Sequence, residues 1–479
     1  MTTMKRTILF TCVLLLISIS VKAYNVIDFG AKGDGVHINT DAINAAIAKA
    51  SADGGGIVHI PKGVYLSHSI HLKSNVTLHL EKGAVIKAAQ ANDSIGYDAP
   101  EPNASTYQDF GHSHWQNSLL WGIGLENVTI EGEGMIDGTN VLMRGQSRDM
   151  KIRHANKALA LKECRNVKVQ GISFLSCGHF AMLMTGVDNL LIEDVTTDSN
   201  RDGFDIDCCK DVIIRRCKVN TLNDDAIVLK CSYALGRLKA TENVLIEDCE
   251  VSGYDVGTFM DGTKMTTVTK VPDQDGPTGR IKLGTESNGG FRHIIIRNCS
   301  FTHCRGLAIE SVDGAEITDV NVSNLTMHDI CNSPIYIRLG DRMRGPQSLP
   351  ASKIDGVKIS NIKVTDADCR YACLIMGLPE HPVRNVELQN ISIDYRGGLT
   401  LDDYRTQRGA NKFFAKYDNK YPEPSVHGIQ PAWGLSVENA DGIKLKNIDM
   451  RVAEPDEREM VSLRNAKHIK VSNFKNYRK

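Results

Sequence analysis

The chain has 479 residues and an almost balanced charge, with 56 Lys and Arg against 57 Asp and Glu and a formal net charge of −1. Hydrophobic residues make up 42% and charged residues 24%, which is a globular composition and excludes a disordered, collagen-like or polytopic membrane protein. Because a mainly nucleic-acid-binding protein would carry a strong basic excess, we expect no nucleic acid among its partners.

The N-terminal segment is predicted to be a secretory signal peptide over residues 1–23. Lys5 and Arg6 precede an uncharged stretch, and Ala23 ends a sequence suited to signal peptidase. The stretch is too short for a comfortable membrane-spanning helix. We therefore expect a mature chain from Tyr24 that is secreted or periplasmic and has no membrane anchor; a retained anchor is the alternative.

A short apolar helix is predicted next, over residues 41–50. Asn39 or Thr40 can cap it, Asp41 lies in its first turn, and the three glycines at 54–56 end it. Such a helix suits a lid on the first coil of the repeat that follows it.

The rest of the chain repeats a phrase of the form Asn/Asp-Val-x-Ile-x-Asn/Asp-x-x-β-branched. With variations, it starts at Asn75, Asn127, Asn166, Asn189, Asp211, Asn243, His293, Asp319, Gly356, Asn385, Gly442 and His468. Each copy alternates apolar and polar residues, which is typical of a strand with one buried face. The tightest intervals are about 22 residues, whereas a β-propeller needs about 40 per blade. The pattern therefore predicts an all-β, right-handed parallel β-helix (a solenoid), formed as one domain over 24–479.

Two further features complete the predicted architecture. A polar insertion at about 397–430 carries Tyr404, Phe413, Phe414, Tyr417 and Tyr421, and we expect it to form a loop over one side of the solenoid. The cysteines beyond residue 12 show neither CxxC pairs nor zinc-ligand spacing, so no metal site is predicted from them. Most are expected to be buried core thiols, with one or two disulfides.

An acid cluster lies where the repeat is most regular. Asp202 and Asp205 fall in one copy, and Asp224 and Asp225 fall in the next. One coil moves a residue by about 4.8 Å along the stack, so Asp202 and Asp224 should lie on one wall, joined by Asp225 if the chain bends there. Carboxyls this close raise one another's proton affinity, as the acid and base of glycoside hydrolysis require. Turn caps or a calcium site are the alternatives.

The sequence resembles glycoside hydrolase family 28, the polygalacturonase family of pectin-degrading enzymes, over nearly the whole mature chain. Residues 200–205, Asn-Arg-Asp-Gly-Phe-Asp, look like the family's Asn-Thr-Asp-Gly-x-Asp, with Arg201 in place of Thr. Asp224-Asp225, with Lys230 trailing, looks like its Asp-Asp pair, and 283–290 resembles the Ile-Gly-Ser-Glu-x-x-Gly-Gly of bacterial members.

The resemblance implies inverting hydrolysis of an α-glycosidic bond, galacturonosyl or rhamnosyl, in a pectic polysaccharide or oligosaccharide. Asp224 would be the general acid, while Asp202 and Asp225 would hold and deprotonate the attacking water. Asn200, Asp205 and Lys230 are the matching candidates for substrate binding. No cofactor is implied, and we expect a monomer whose partner is its carbohydrate substrate.

Two family motifs are missing. No His occurs at 278–280, where Gly-His-Gly is expected, and Ala308 and Glu310 occupy the basic positions of the expected Arg-Ile-Lys. Glu310 would repel a uronate, so a neutral sugar such as rhamnose is an alternative in the cleaved position. A literal Arg280-Ile-Lys282 lies one coil earlier, with both basic side chains on one strand face; it is either a relocated carboxylate clamp or a chance match.

Several aromatic and histidine residues are weaker candidates. His179, one coil before Asp202, is either a platform for a sugar or a packing residue. His112 and Trp115 belong to a polar-aromatic stretch that suits a loop beside the groove, or else ordinary core and surface. The other functions that the sequence leaves open are a calcium-dependent, pectate-lyase-like eliminase and a non-catalytic glycan-binding β-helix.

Overall fold

The computed structural model describes residues 22–102, 107–143, 153–406, 419 and 421–475. Almost all of the predicted signal peptide lies outside these residues, so its cleavage and the secretion that depends on it stay predictions. Phe413, Phe414 and Tyr417 of the insertion also lie outside them. Within the described ranges, none of the helices combines the length and the apolar character that crossing a bilayer requires.

Parallel strands make up most of the described chain. In chain order they are β1 (Ala23–Asn25), β2 (Asp34–Ile38), β3 (Gly56–Ile60), β4 (Gly63–Ser67), β5 (Ile70–His71), β6 (Val76–Leu80), β7 (Ala84–Ala88), β8 (Leu120–Ile123), β9 (Glu126–Gly132), β10 (Met135–Asp137), β11 (Lys157–Lys162), β12 (Arg165–Gln170), β13 (Ser173–Leu175), β14 (Phe180–Thr185), β15 (Asp188–Glu193), β16 (Thr196–Ser199), β17 (Phe204–Asp207), β18 (Lys210–Arg215), β19 (Lys218–Thr221), β20 (Ile227–Cys231), β21 (Thr241–Glu247), β22 (Glu250–Ser252), β23 (Ile281–Ser287), β24 (Phe291–Arg297), β25 (Ser300–Cys304), β26 (Leu307–Ser311), β27 (Glu316–Ile330), β28 (Ile335–Leu339), β29 (Lys353–Ala367), β30 (Cys373–Met376), β31 (Val383–Gly397), β32 (Ala432–Asp441), β33 (Lys444–Glu454), β34 (Glu459–Lys467) and β35 (Lys470–Phe474). The helices are α1 (Thr40–Ala52) and α2 (Leu401–Thr406), with 3-10 turns at Val26–Phe29, Phe110–Ser113 and Pro424–His427.

The strands stack as a right-handed parallel β-helix, which confirms the predicted fold. In the regular part each strand pairs in parallel with the strand three places further along the chain, as β11, β14, β17 and β20 do. One coil therefore contributes one strand to each of three faces. From β27 onwards, strands of up to 15 residues run across two faces without a break. The face that contains β14, β17, β20, β23 and β26 carries the candidate site.

The repeated phrase marks a corner of the coil. All twelve residues that start a copy have a positive φ, between 50° and 91°. Asn and Asp tolerate this left-handed conformation better than most residues, which explains why the phrase starts with them. Their side chains also bond from coil to coil: Asn127 donates to Asn75 at 2.7 Å, and Asn166 donates to Asn127 at 2.9 Å. The phrase is thus a corner signal followed by a strand with one buried face.

The N-terminal helix covers the first coil, as expected. It spans Thr40–Ala52 and buries Ile43, Ala46 and Ile47 among its apolar residues. Asn39 is the N-cap residue, but its side chain makes no capping bond. Instead its Oδ1 accepts the backbone N–H of Lys32 at 2.6 Å, which ties the preceding loop to the lid.

The twelve cysteines of the described residues are all free thiols, and all but Cys331 are buried. The expected one or two disulfides are therefore absent among these residues. Cys217, Cys249 and Cys299 lie on successive coils, because the residues that follow them pair in register. These thiols act as small apolar core groups.

Candidate active site

Three carboxylates meet in one cleft. Asp202 precedes β17, and Asp224 and Asp225 precede β20. One carboxylate oxygen from each residue lies within 4.8 Å of the other two. Asp202 and Asp225 are 2% and 3% exposed, and all three side chains line a cleft with a volume of about 220 Å³. The structure thus brings together the three residues that the sequence singles out for catalysis.

Strand register decides which neighbour each acid faces. β17 and β20 pair with an offset of 23 residues, whereas β15 and β18 pair with an offset of 22. Continued back along the chain, the longer offset places Asp202 beside Asp225, and it places Arg201 beside Asp224. The sequence expectation aligned Asp202 with Asp224, which is one residue from the observed pairing.

The Arg201 guanidinium binds Asp224. Its Nε donates to Asp224 Oδ2 at 3.0 Å and its Nη2 donates to the same oxygen, while the backbone N–H of Asp225 donates to Oδ1 at 3.1 Å. On the other side, Arg201 Nη1 lies 3.2 Å from His179 Nδ1. His179 is fully buried and its ring centre lies 4.3 Å from that of Phe180, which favours the packing alternative over a sugar platform.

Asp202 and Asp224 differ in proton affinity. Burial, together with the nearby charge of Asp224, raises the pKa of Asp202 well above its ordinary value. Burial also acts to raise the pKa of Asp224, but the Arg201 guanidinium outweighs it and brings that pKa below the ordinary value. A proton shared by this pair therefore resides on Asp202 in the free protein.

Two buried cations hold Asp225. Arg280 Nε donates to Asp225 Oδ1 at 2.8 Å, and Lys282 Nζ lies 3.6 Å from Oδ2. Lys282 also lies 3.3 Å from Glu310 Oε2, and Arg280 Nη1 donates to Glu423 at 3.2 Å. Burial raises the pKa of Glu310 to about 7, against the opposing effect of Lys282 and Arg280. Both cations of the predicted clamp are therefore engaged by the protein's own carboxylates.

The end of the insertion at 397–430 completes this network. Lys282 Nζ donates to the Tyr421 hydroxyl at 3.2 Å and lies 5.1 Å from the centre of that ring. Glu423 is buried between Arg280 and Arg305, with Arg305 Nη1 3.2 Å from its carboxylate. Burial acts to raise the pKa of Glu423, but Arg280 and Arg305 lower it to about 2. The insertion therefore contributes directly to the candidate site.

A second buried network lies beside the acids. Lys230 Nζ is 2.7 Å from Asp205 Oδ2 and 3.4 Å from Glu286 Oε2. His112 Nε2 is 3.0 Å from the same Asp205 oxygen and also contacts Lys230 Nζ. Burial acts to lower the pKa of Lys230, but Asp205 and Glu286 raise it well above its ordinary value. Lys230 therefore stays charged, and the polar-aromatic stretch around His112 does lie beside the cleft.

Side chains from distant segments cover this face on either side of the cleft. Towards the N-terminal coils, Trp115 packs in a buried cluster with Phe180 and Leu183. Towards the C-terminal coils, the Tyr336 hydroxyl lies 3.4 Å from His427 Nε2. Packed side chains therefore lie on this face in both directions along the solenoid axis from the acids.

Two groups of side chains have ligand atoms close enough to hold a metal ion. One is formed by the three acids, and the other by His112, Asp202 and Asp205. Two of the three acids already pair with arginines, and Asp205 already pairs with Lys230. A calcium ion would have to displace these cations, because it takes six to eight oxygen ligands.

Sequence reasoning misses or misjudges several contributors. Arg201 is visible only as a departure from a motif, although the 23-residue offset of β17 and β20 would have placed it beside Asp224. Glu423 gives no sequence signal, because 143 residues separate it from Arg280 and it lies in an irregular segment. Asn200, predicted to bind substrate, accepts a hydrogen bond from the asparagine one coil further on.

Comparisons with known proteins agree with this fold. The model of a family described as rhamnogalacturonase A/epimerase, pectate lyase-like, matches residues 23–258. The chain is similar to a probable polygalacturonase of Vitis vinifera, with 23% identity over 397 residues that cover 78% of this chain and 75% of the relative. A shorter stretch of 181 residues is 30% identical to plasmin and fibronectin-binding protein A of Streptococcus pneumoniae, covering 36% of this chain and 23% of that one.

The fold is similar to that of a solved structure, a hyperthermoactive exopolygalacturonase from Thermotoga maritima. The TM-score is 0.61 and the identity is 21%, and the match covers 78% of this chain and 87% of the other. The matched family model and the polygalacturonase relatives are consistent with the resemblance of the sequence to glycoside hydrolase family 28.

Proposed function

We propose that the protein hydrolyses an α-glycosidic bond, galacturonosyl or rhamnosyl, in a pectic polysaccharide or oligosaccharide. The observation that carries the proposal is the meeting of Asp202, Asp224 and Asp225 within 4.8 Å in one cleft. One carboxyl of such a cluster protonates the leaving oxygen, and the others hold and activate water. Similarity to polygalacturonases supports pectic carbohydrate as the substrate class.

The proposed roles follow the family pattern. Asp224 protonates the leaving group, and Asp202 and Asp225 deprotonate the attacking water, so that the anomeric carbon is inverted. Arg280 and Lys282 orient Asp225, because both of them contact its carboxylate.

Stereochemistry is the sharpest check on these roles. The closest carboxylate oxygens are nearer than the roughly 6.5–9.5 Å typical of inverting pairs. Proton NMR of the first anomer released separates the two outcomes. Inversion supports a water held by two acids, whereas retention would assign one of the acids as a covalent nucleophile.

We further propose attack at chain ends. Trp115 packs on this face towards the N-terminal coils and His427 contacts it towards the C-terminal coils, and we expect a long chain lying along the solenoid axis to meet one of them. A single small product from the first minutes of reaction, with little loss of polymer viscosity, is the expected result. A ladder of oligosaccharides would contradict chain-end attack.

The deciding experiment incubates the protein with a panel of pectic oligosaccharides and identifies the released sugar by mass spectrometry. Asp202→Asn, Asp224→Asn and Asp225→Asn should each lower turnover by about 10³-fold or more, since acid–base groups acting as a unit are lost together. Asp211→Asn is the matched control, because Asp211 is an exposed corner residue on a different face. Equal glycan binding by wild type and variants with no release of sugar would favour a glycan-binding β-helix.

The same experiment tests the eliminase alternative, which predicts an unsaturated product that absorbs ultraviolet light and loss of activity with a chelator. Secretion through the N-terminal segment and a monomeric state remain part of the proposal. Size-exclusion chromatography with light scattering and N-terminal sequencing of the exported protein test them.

A further inference from the structure

The groups that could recognise a substrate carboxylate are not where the family pattern places them. Ala308 and Glu310 occupy the expected basic positions. Arg280 and Lys282, the nearest basic pair, are 2% and 0% exposed, and protein carboxylates surround both. Neither cation can approach a substrate without breaking a buried ion pair, which is costly in a low-dielectric interior.

Arg201 differs from these cations. Its side chain is 10% exposed and lines the cleft, while the Lys230 and Arg305 side chains that also line it are 6% and 2% exposed. Its guanidinium points at the acid cluster and ends on Asp224. Arg201 pairs with one carboxylate, whereas Arg280 and Lys282 each lie among several, so exchange of Asp224 for a substrate carboxylate keeps the Arg201 guanidinium in a charge-assisted pair.

The pair that Arg201 makes has a consequence for the proposed chemistry. Asp224 bound to Arg201 is a carboxylate and has no proton to give, whereas Asp202 makes no ion pair within 4 Å among the described residues and holds the shared proton. In the free protein the higher proton affinity therefore lies with Asp202, the acid that the proposed function uses as base. Hydrolysis requires that the proton change place.

We propose that Arg201 binds a substrate carboxylate beside the scissile bond and that this binding moves a proton from Asp202 to Asp224. This coupled exchange is the Arg201 trigger. The guanidinium moves from Asp224 to the substrate carboxylate, the O–H bond of Asp202 breaks, and an O–H bond forms on Asp224. No proton or charge is gained or lost: Asp224 becomes the donor and Asp202 becomes the carboxylate that takes a proton from water. This inference rests on the proposed hydrolase function and assigns its substrate a carboxylate next to the cleaved linkage.

The short distance between the acids supports this transfer. The oxygens of Asp202 and Asp224 lie within 4.8 Å, so one water molecule between them can relay the proton. Arg201 occupies the position where the family motif has Thr, a side chain too short and uncharged for this contact. The trigger is therefore a property of this chain rather than of the common motif.

The test compares wild type with Arg201→Met and Arg201→Lys on matched substrates. One is a pectic oligosaccharide, and the other is the same oligosaccharide with its carboxyl groups reduced to alcohols. Wild type should favour the acidic substrate in kcat/KM by about 10- to 100-fold, the range expected for a hydrogen bond to a charged group. In Arg201→Met that ratio should fall to near one, because Asp224 is then free whatever the substrate carries, and kcat for the reduced substrate should rise.

The pH profile gives a second readout that a structural role would not move. Removal of the Arg201 charge raises the proton affinity of the acid pair, so the alkaline limb of kcat/KM should shift to higher pH in Arg201→Met and hardly at all in Arg201→Lys. Arg216→Met is the control, because Arg216 is an exposed arginine paired with Asp194 and Glu193 on another face. Circular dichroism melting identifies any variant that fails to fold.

The outcomes separate the two proposals. Hydrolysis of both substrates by wild type at equal kcat/KM, or an unchanged preference in Arg201→Met, would overturn the trigger and leave the hydrolase intact. No release of sugar from either substrate by any form would overturn the hydrolase and the trigger with it.

Discussion

Glu423, near the end of the insertion at 397–430, pairs with both Arg280 and Arg305. Its replacement gives a quantitative test of how the insertion is held at the site. Glu423 is 5% exposed and lies between Arg280 and Arg305. Removal of its charge takes one of two carboxylate partners from each guanidinium, which leaves Asp225 beside Arg280 and Asp273 beside Arg305. Glu423→Gln keeps the size of the side chain and one acceptor oxygen. The perturbation is therefore mainly electrostatic.

The magnitude follows from the lowered pKa of Glu423. Folding brings this pKa from 4.5 to about 2, and each unit corresponds to about 1.4 kcal/mol, so the ionised carboxylate contributes about 3 kcal/mol to the free energy of unfolding. Because the folded pKa is depressed, this contribution is complete above pH 4.5 and is lost as the pH falls through about 2. At neutral pH, Glu423→Gln should therefore be about 3 kcal/mol less stable than wild type, and the difference should shrink below pH 4.5.

Urea or thermal unfolding followed by circular dichroism at pH 7, 4 and 3, at one scan rate, measures this difference. Glu133→Gln is the matched control: its carboxylate lies 3.3 Å from Lys82, but the two side chains are 70% and 83% exposed, so no measurable change is expected. A gap between wild type and Glu423→Gln that is the same at pH 3 as at pH 7 would refute the electrostatic account. No gap at pH 7 would refute the anchoring of the insertion.

Two other outcomes follow from the fold and from the acid cluster. Asn324 has a φ of 57° and links Asn298 to Asn361 at 3.1 Å on either side, so Asn324→Ala should cost about 1–2 kcal/mol in urea unfolding, and Asn324→Gly, which keeps the left-handed corner, should cost less; equal losses in the two variants would contradict the corner role. A chelator such as EDTA should leave turnover of pectic oligosaccharides unchanged, because Arg201 and Arg280 already neutralise two of the three acids; loss of activity that calcium restores would contradict this reading.

The fold could be predicted from the sequence because its signals are local. In the sequence each coil is marked by a corner residue such as Asn166 or Asn189, followed by a strand with one apolar face. The stack then repeats the same contacts between neighbouring coils, so no long-range information is needed. The capping helix was predictable for the same reason, and its observed limits differ from the expected 41–50 by one or two residues.

The candidate site could be predicted only in part. The convergence of Asp202, Asp224 and Asp225 follows from coil spacing, but the partner of each acid depends on a register that shifts by one residue between β15–β18 and β17–β20. Because of that shift, the neighbour of Asp224 on the preceding coil is Arg201 and not Asp202. The clamp formed by Arg280 and Lys282 was expected on one face, yet its partners come from elsewhere in the chain.

Contacts between residues far apart in the sequence could not be predicted. His112 meets Lys230 across 118 residues, and Glu423 meets Arg280 across 143. Both segments are irregular and have no periodicity from which a partner could be inferred. Their positions are set by ion pairs inside the cleft rather than by strand pairing.

The long sequence separation of these contacts has a consequence for how the protein loses activity. Neighbouring coils support one another pairwise, so the stack survives the loss of any single distant contact. The cleft, by contrast, is closed only while the segments that carry His112 and Glu423 stay docked, and such long connections are among the last to form and the first to open. Turnover therefore depends on whether the segments that carry His112 and Glu423 are docked. We expect it to be lost when they detach, even while the strands of the solenoid remain ordered.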